Sequence, residues 1–431
     1  MIRRGPLNAN FVSRAEAVMP GCCLASMYLP PTRRVVIESA EGVRMKDADG
    51  TEYLDFALGS GPMLLGHAHP RIVEAVVNQV PRGSSYFVMN TGAVELAEQL
   101  LEAIPCGEAL RFQTTGSDAT FAALRIARAA TGRSKVLQFE GGYHGGHDTG
   151  QLIAVSGNPP NYPEPAATSA GIPDSAAQDV LVAPFNDIGT TRRIVEQHSG
   201  EIAAILVEPL HRVFPPRDDF LEELRQLATK HGAVLVFDEV VTGFRLAWGG
   251  GQERYGVIPD LACYGKAIGG GYPLSAVVGS RALLNFADPE RKGEAPLCFV
   301  GGTFTGNPVA CAAGLATLDV LRAPDTYERL YSLAAALSDG LIRLARKNGV
   351  AAHVLGEGPI CQVVFKDGAK PSNHAELRLA DHKKAMNFAF ALIDRGIFVN
   401  PGGKFYLSLA HEQRDIDEAL RAADTAFSFL S

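Results

Sequence analysis

The chain has 431 residues, 46% of them hydrophobic and 20% charged, with a formal net charge of −7. That length accommodates two or three domains, each with a sizeable core. The acidic balance, with no basic run longer than a pair such as Arg192-Arg193, speaks against a nucleic-acid or membrane-surface partner.

The seven cysteines, at positions 22, 23, 106, 263, 298, 311 and 361, are odd in number and lack Cys-x-x-Cys spacing. Neither a disulfide framework nor a zinc site is expected from them. The first twenty residues are basic but have no apolar run of the signal-peptide kind. No stretch of about twenty apolar residues exists to span a bilayer. A reducing cytoplasm is therefore the expected setting.

In chain order, Phe11 to Met19 reads as a short amphipathic helix stopped by Pro20-Gly21. Val35–Ser39, Val43–Lys46 and Tyr53–Phe56 alternate with turns at Glu41-Gly42 and Asp49-Gly50, which predicts a small antiparallel sheet. Gly66-His-Ala-His-Pro70 holds two histidines without a carboxylate at ligand spacing, so a structural turn is expected, not a metal site. Helices are predicted from Pro70 to Val80 and from Glu95 to Ile104.

From Ala109 to Gly279, seven short apolar runs are predicted as strands, mostly separated by helix-length segments. They lie at Ala109–Gln113, Lys135–Phe139, Asp179–Ala183, Ile202–Val207, Ala233–Phe237, Leu261–Tyr264 and Ser275–Gly279. Such alternation predicts an α/β domain with a mostly parallel seven-stranded sheet. Residues 156–178, rich in Pro, Ala, Ser and Gly, form a long insertion expected to act as a mobile gate.

Three strand ends carry chemistry. Thr114-Thr-Gly-Ser-Asp118 joins a strand to a helix, an arrangement whose free N–H groups and dipole suit an anion, although Ser117 serves equally well there as a plain N-cap. Gly116 would let a phosphate approach the backbone closely. Ala233–Phe237 ends in Asp238-Glu239, and Leu261–Tyr264 ends in Gly265-Lys266. An acid and an amine at the carboxyl edge of one sheet suit pyridoxal phosphate, which needs a lysine for its Schiff base and an acidic partner for its pyridinium nitrogen. Desolvation of such a lysine lowers its pKa and favours its action as nucleophile and base.

Asp238-Glu-Val-Val-Thr-Gly-Phe-Arg245 followed by Lys266-Ala-Ile-Gly-Gly-Gly-Tyr-Pro273 resembles the signature of the class III aminotransferases. The resemblance runs from Met19-Pro-Gly to Ser408-Leu-Ala-His-Glu. It implies a fold type I architecture, with a large cofactor domain at 71–320 and a smaller α+β domain built from 1–70 and 321–431. It implies pyridoxal 5'-phosphate held by Lys266 as Schiff-base lysine, with Asp238 as pyridinium partner and Val240 and Tyr143 on the two ring faces. Gly116 and Ser117 would hold the phosphate, and His144 and Glu208 would lie near the cofactor. In the family the motif Gly301-Gly-Thr303…Gly306-Asn-Pro308 supplies its threonine to the neighbouring subunit's phosphate, so Thr303 implies a homodimer with shared active sites.

The nearest flavour is the glutamate-1-semialdehyde aminomutase branch, through Gly61-Pro-Met-Leu-Leu-Gly-His67 and Ser408-Leu-Ala-His411. The substrate pocket departs from it. Cys22-Cys-Leu-Ala-Ser-Met27 replaces the branch's arginine and serine, Ser60 its tryptophan, and Gly403-Lys404 its acidic residue. Transfer of an amino group from an amine or amino acid donor to a keto acceptor is the expected reaction. The aminomutase and a β-amino-acid aminotransferase are the alternatives, and a decarboxylase or racemase would share every cofactor residue. Arg33, Arg34, Arg212 and Lys404 are the cations available for a substrate carboxylate; Arg212 might equally cap a surface turn.

Overall fold

The computed structural model describes residues 5–24, 27–157, 159–217, 219–293 and 296–430. Ala25 and Ser26 of the divergent Cys22–Met27 stretch, and Asn158 of the 156–178 insertion, lie outside the described residues.

Three strands, β1 (Ile37–Glu41), β2 (Arg44–Asp47) and β3 (Glu52–Asp55), form the expected antiparallel meander. Then come β4 (Ala109–Gln113) and β5 (Lys135–Phe139), and a two-residue hairpin of β6 (Ala154–Val155) and β7 (Pro165–Ala166). They are followed by β8 (Val180–Ala183), β9 (Ile202–Val207), β10 (Val234–Asp238), β11 (Leu261–Tyr264) and β12 (Ser275–Gly279). All seven strands predicted between Ala109 and Gly279 join one sheet, in the order β4-β12-β11-β10-β9-β5-β8. Only β12 runs against its neighbours, antiparallel to both β11 and β4. Every residue of β8, β9, β10 and β11 is buried, which explains their apolar runs, broken by a carboxylate only at Asp238 where β10 ends.

Helix Gly116–Thr131 lies on this sheet through a face of small residues. Ala119, Ala122, Ala123 and Ala127 pack with Leu206, Val236, Cys263 and Val277 in one buried cluster. The helix starts where a Thr-x-x-Asp capping box closes: Thr115 Oγ1 accepts from Asp118 N at 3.2 Å, and Asp118 Oδ2 accepts from Thr115 N at 3.0 Å. The N-cap is thus Thr115, which leaves the Ser117 hydroxyl for other partners.

The chain divides into two units. One comprises 71–323 with Pro371–Arg378, and the other comprises 1–70, 324–370 and 379–431. Residues Pro371–Arg378 go with the large unit because Ser372 O accepts from Asn186 and Arg378 pairs with Glu140. In the other unit, β13 (Ala352–Glu357), β14 (Ile360–Phe365) and β16 (Lys404–Tyr406) form a second antiparallel sheet, and β15 (Ile397–Phe398) adds to β3 in parallel. The core of that unit gathers Leu337 and Leu341 of helix Thr326–Lys347, Phe388 and Leu392 of helix His382–Ile393, and Ile416 and Phe427 of helix Gln413–Ser428. Each such side chain contributes about 1.5–3 kcal/mol on leaving water.

Candidate active site

The carboxyl edge of the large sheet gathers the site. β10 and β11 run parallel with Asp238 opposite Cys263, so the acid stands across from the strand that leads to Lys266. Asp238 is buried, and its two oxygens are engaged differently. Oδ1 accepts from Val240 N at 3.1 Å, while Oδ2 meets His144 Nδ1 at 2.8 Å. His144 comes from the loop after β5 and is itself buried; its Nε2 has no hydrogen-bond partner. The carboxylate is thus fixed from behind by its own turn and from the side by an imidazole.

Val240 and Gly116 meet across the site. A Cβ on Gly116 would come within 2.8 Å of Val240 Cγ1, so only glycine allows the helix start to stand this close to the Asp238 turn. Ser117 Oγ accepts from Gly146 N at 3.1 Å, which ties the helix start to the loop of Tyr143 and His144. Tyr143 keeps 53% of its surface exposed, in contrast to its buried neighbour. Ser275 Oγ, at the far end of the Lys266 turn, donates to Thr115 O at 2.7 Å. Gly116, Ser117, Tyr143, His144, Asp238, Val240 and Lys266 therefore belong to one edge, reached from four strands.

Lys266 opens a short helical turn, Lys266–Gly269, with φ of +47°, after a fully extended Gly265. A non-glycine residue in the left-handed region is uncommon and is held there by its surroundings. Here β11 ends in the protein interior and the turn must swing the lysine out of the strand line.

Glu208 follows β9, is buried, and accepts from Arg212 N at 2.9 Å. Between them His211 is buried, stacks on Phe185 with centroids 4.6 Å apart, and bonds Glu140 O through Nε2 at 2.9 Å. Burial lowers the His211 pKa to about 4, against the pull of Glu208, so the ring is neutral at physiological pH. Arg212 stands above this base with its guanidinium 5.9 Å from the centroid of the Tyr143 ring.

The remaining named residues sit on other elements. Thr303 is exposed in the turn before helix Pro308–Leu321. Ser60 and Lys404 belong to the other unit: Ser60 ends a tight turn with φ of +68°, and Lys404 Nζ lies 5.7 Å from the Tyr406 ring centroid. Arg33 forms a two-pronged bond to Asp394, at 3.0 and 2.7 Å, and Arg34 pairs with Glu16, so both serve as structural ion pairs. His67 bonds Asp55 at 2.8 Å. Among the described residues no group of three or more His, Cys, Asp or Glu side chains is placed to hold a metal ion.

Sequence reading overlooked two supports of the site. His147 bonds Thr120 Oγ1 at 3.2 Å, and through Nδ1 accepts from Gly150 N at 3.1 Å, bracing the Tyr143 loop against helix Gly116–Thr131. Glu140 accepts from the Tyr162 hydroxyl at 2.5 Å and lies 3.6 Å from Arg378. The insertion 156–178 is thereby tied by Tyr162 to the strand end that carries Tyr143.

A strand-end acid, a strand-end lysine and a glycine-opened helix on one α/β sheet define a cofactor-dependent transferase. The model of the family described as aminotransferase class-III matches residues 28–427, and the chain belongs to that family. Its curated relatives include the glutamate-1-semialdehyde 2,1-aminomutase of Rhodopirellula baltica, 38% identical over 99% of this chain and 97% of that protein. The enzyme of the same name from Methanopyrus kandleri is also 38% identical, over 99% of this chain and 98% of its own. Among solved structures, an omega-transaminase from Sphaerobacter thermophilus superposes with a TM-score of 0.92 at 34% identity, covering 98% of this chain and 97% of that one. A beta-phenylalanine aminotransferase from Variovorax paradoxus gives a TM-score of 0.87 at 33% identity, covering 98% and 93%. Among the described residues no helix is long and apolar enough to cross a membrane.

Proposed function

We propose that the chain is a pyridoxal 5'-phosphate-dependent aminotransferase that moves an amino group from an amine or amino acid donor to a keto acceptor in two half-reactions. The observation that carries this reading is the placement of Asp238, buried and bonded to His144, beside the strand that ends in Lys266. The residues fit the cofactor. Gly116 and Ser117 open a helix whose first N–H groups and positive dipole end suit a phosphate. Val240 and the half-exposed Tyr143 offer an apolar contact and an aromatic face for a flat ring.

When bound, that ring supplies the sink for the electron pair left as a substrate C–H bond breaks. Asp238 holds a proton at the pyridine nitrogen, and His144 Nδ1 keeps the carboxylate oriented for it. Lys266 Nζ would take the proton from the substrate's amine-bearing carbon and is the group placed to return it. Gly116 and Ser117 bind the phosphate, Glu208 lies alongside, and Thr303 reaches the phosphate of a partner subunit in a homodimer. The exposed apolar run Phe87, Val88 and Met89, with Phe299 and Phe304, supports a partner surface there. A cytoplasmic setting accords with seven cysteines that form no disulfide among the described residues, five of them buried.

The aminomutase is the second reading, favoured by the names of the curated relatives. Against it stand Ser60, the Cys22-Cys23 pair and Lys404, where that branch carries a tryptophan, an arginine and serine, and an acidic residue.

The test is the visible spectrum of the cofactor-loaded protein, wild type and Lys266→Ala, titrated with a panel of amines. Bleaching by one amine, reversed by a keto acid with release of a new amino acid, supports intermolecular transfer. A response confined to glutamate 1-semialdehyde or its diamine, with 5-aminolevulinate as product, would replace it by the aminomutase. A wild type that takes up no cofactor would end both.

A further inference from the structure

We propose that Arg212 is the residue that reads the carboxylate of the substrate, which makes the preferred amino donor or acceptor a carboxylic acid. This rests on the aminotransferase reading and deepens it.

Four observations place Arg212 for this task. His211 and Phe214 exchange backbone hydrogen bonds of 3.0 and 2.9 Å, closing a tight turn with Arg212 and Val213 at its tip. Arg212 sits there at φ of +61°, a conformation that favours Gly or Asn and that arginine adopts only when the surroundings impose it. Beneath the tip, His211 and Glu208 are buried and fixed, so the turn cannot swing away. Above it, the guanidinium lies 3.8 Å from Glu208 Oε1 and over the ring of Tyr143, with 39% of its side chain open to solvent.

Tyr143 is the neighbour of His144, which bonds Asp238, so Arg212 forms part of the wall of the reacting site. Lys266 is committed there to the chemistry. Of the other cations first considered, Arg33 and Arg34 are paired with Asp394 and Glu16. The planar fork of a guanidinium matches a carboxylate in two-point geometry. A guanidinium beside the Tyr143 ring, on the edge that also carries Asp238, favours an anionic head group.

A structural role alone, capping Glu208, predicts a different response from carboxylate recognition, and two variants separate them. Arg212→Asn removes the charge while keeping a residue that tolerates the left-handed turn; Arg212→Lys keeps the charge but loses the fork. Calorimetric titration of the cofactor-loaded protein with hexanoate and with hexan-1-ol, which differ in the anionic head, reads the contact without turnover. Hexanoate affinity is expected to fall on the order of 10- to 100-fold in Arg212→Asn and less in Arg212→Lys, with hexan-1-ol and the cofactor spectrum unchanged. In turnover, KM for 2-oxoglutarate or pyruvate should rise more than KM for a carboxylate-free amine. Equal hexanoate affinity in wild type and Arg212→Asn overturns the proposal, as does equal loss for both probes, or a wild type that binds no hexanoate. If hexanoate binding depends on Arg212 yet no amine is ever converted, the aminotransferase reading fails and the carboxylate site stands.

Discussion

The Asp238 carboxylate and the His144 imidazole meet at 2.8 Å, both buried, and the far nitrogen of the ring has no hydrogen-bond partner. A carboxylate oxygen accepts, so Nδ1 is the donor in this contact. The imidazole then acts as a fixed strut for the carboxylate. Replacing Asp238 by Ala should reduce turnover by more than about a thousandfold, the scale of losing an electrostatic partner of the reacting group. His144→Ala should cost about 10- to 100-fold in kcat, the scale of losing one charge-assisted hydrogen bond, with cofactor still bound. Single-turnover absorbance changes with a donor amine would check both.

Gly116→Ala places a methyl 2.8 Å from Val240 Cγ1 and 3.0 Å from Cγ2. Valine is stiff at χ1, so the helix start must retreat. Overpacking of this kind typically costs about 1–3 kcal/mol, and here it should appear as weaker cofactor binding, on the order of tenfold or more. Adding Val240→Ala to Gly116→Ala should restore part of the affinity, measured by absorbance titration of the apoprotein.

Burial lowers the pKa values of His147, His211 and His411 from the ordinary 6.5 to about 4. Between those values the unfolded chain binds protons that the folded chain refuses. Stability is therefore full above about pH 6.5 and falls as pH drops toward 4, each unit of depression corresponding to about 1.4 kcal/mol per group. Urea midpoints measured from pH 7.5 to 4.5 should decline through that window. His411 is stacked on Phe56 with centroids 4.5 Å apart and lies far in sequence from Lys266, so His411→Asn should flatten the decline.

Tyr162→Phe removes the hydroxyl that donates to the buried Glu140 at 2.5 Å. Losing one hydrogen bond to a buried carboxylate should cost about 1.5–3 kcal/mol locally. The expected result is faster cleavage within 156–178 by a low dose of protease, with a smaller effect on the overall melting temperature. An unchanged cleavage rate would mean that this tyrosine does not anchor the insertion.

Much of this architecture is legible in the residues themselves. β8 to β11 are found because burial on both faces leaves them uniformly apolar, a signal that survives without any partner in view. The β6–β7 hairpin is not, since two-residue strands containing Pro165 carry no pattern. Helix Gln413–Ser428 left a readable trace in the spacing of Ile416, Ala419, Ala423, Ala426 and Phe427, and went unread beside the strands. Of the site, Asp238 and Lys266 announce themselves as polar ends to apolar runs. The His144–Asp238 bond joins residues 94 positions apart, and Arg378 reaches Glu140 across more than half the chain, so neither contact has a local signature. The same holds for the ion pairs that engage Arg33 and Arg34.

The reversal of β12 has its own consequence for Lys266. A parallel successor to β11 would have required a crossover to the opposite edge of the sheet before returning, with a helix-length excursion. By turning back on itself the chain never leaves the ligand-binding rim, and residues 265–274 suffice to join the two strands. With Ser275 latched to Thr115 at one end and β11 at the other, the lysine rides on a short, doubly moored tether. The amine thus meets each new substrate from nearly the same starting point, and little conformational search is repeated from one turnover to the next.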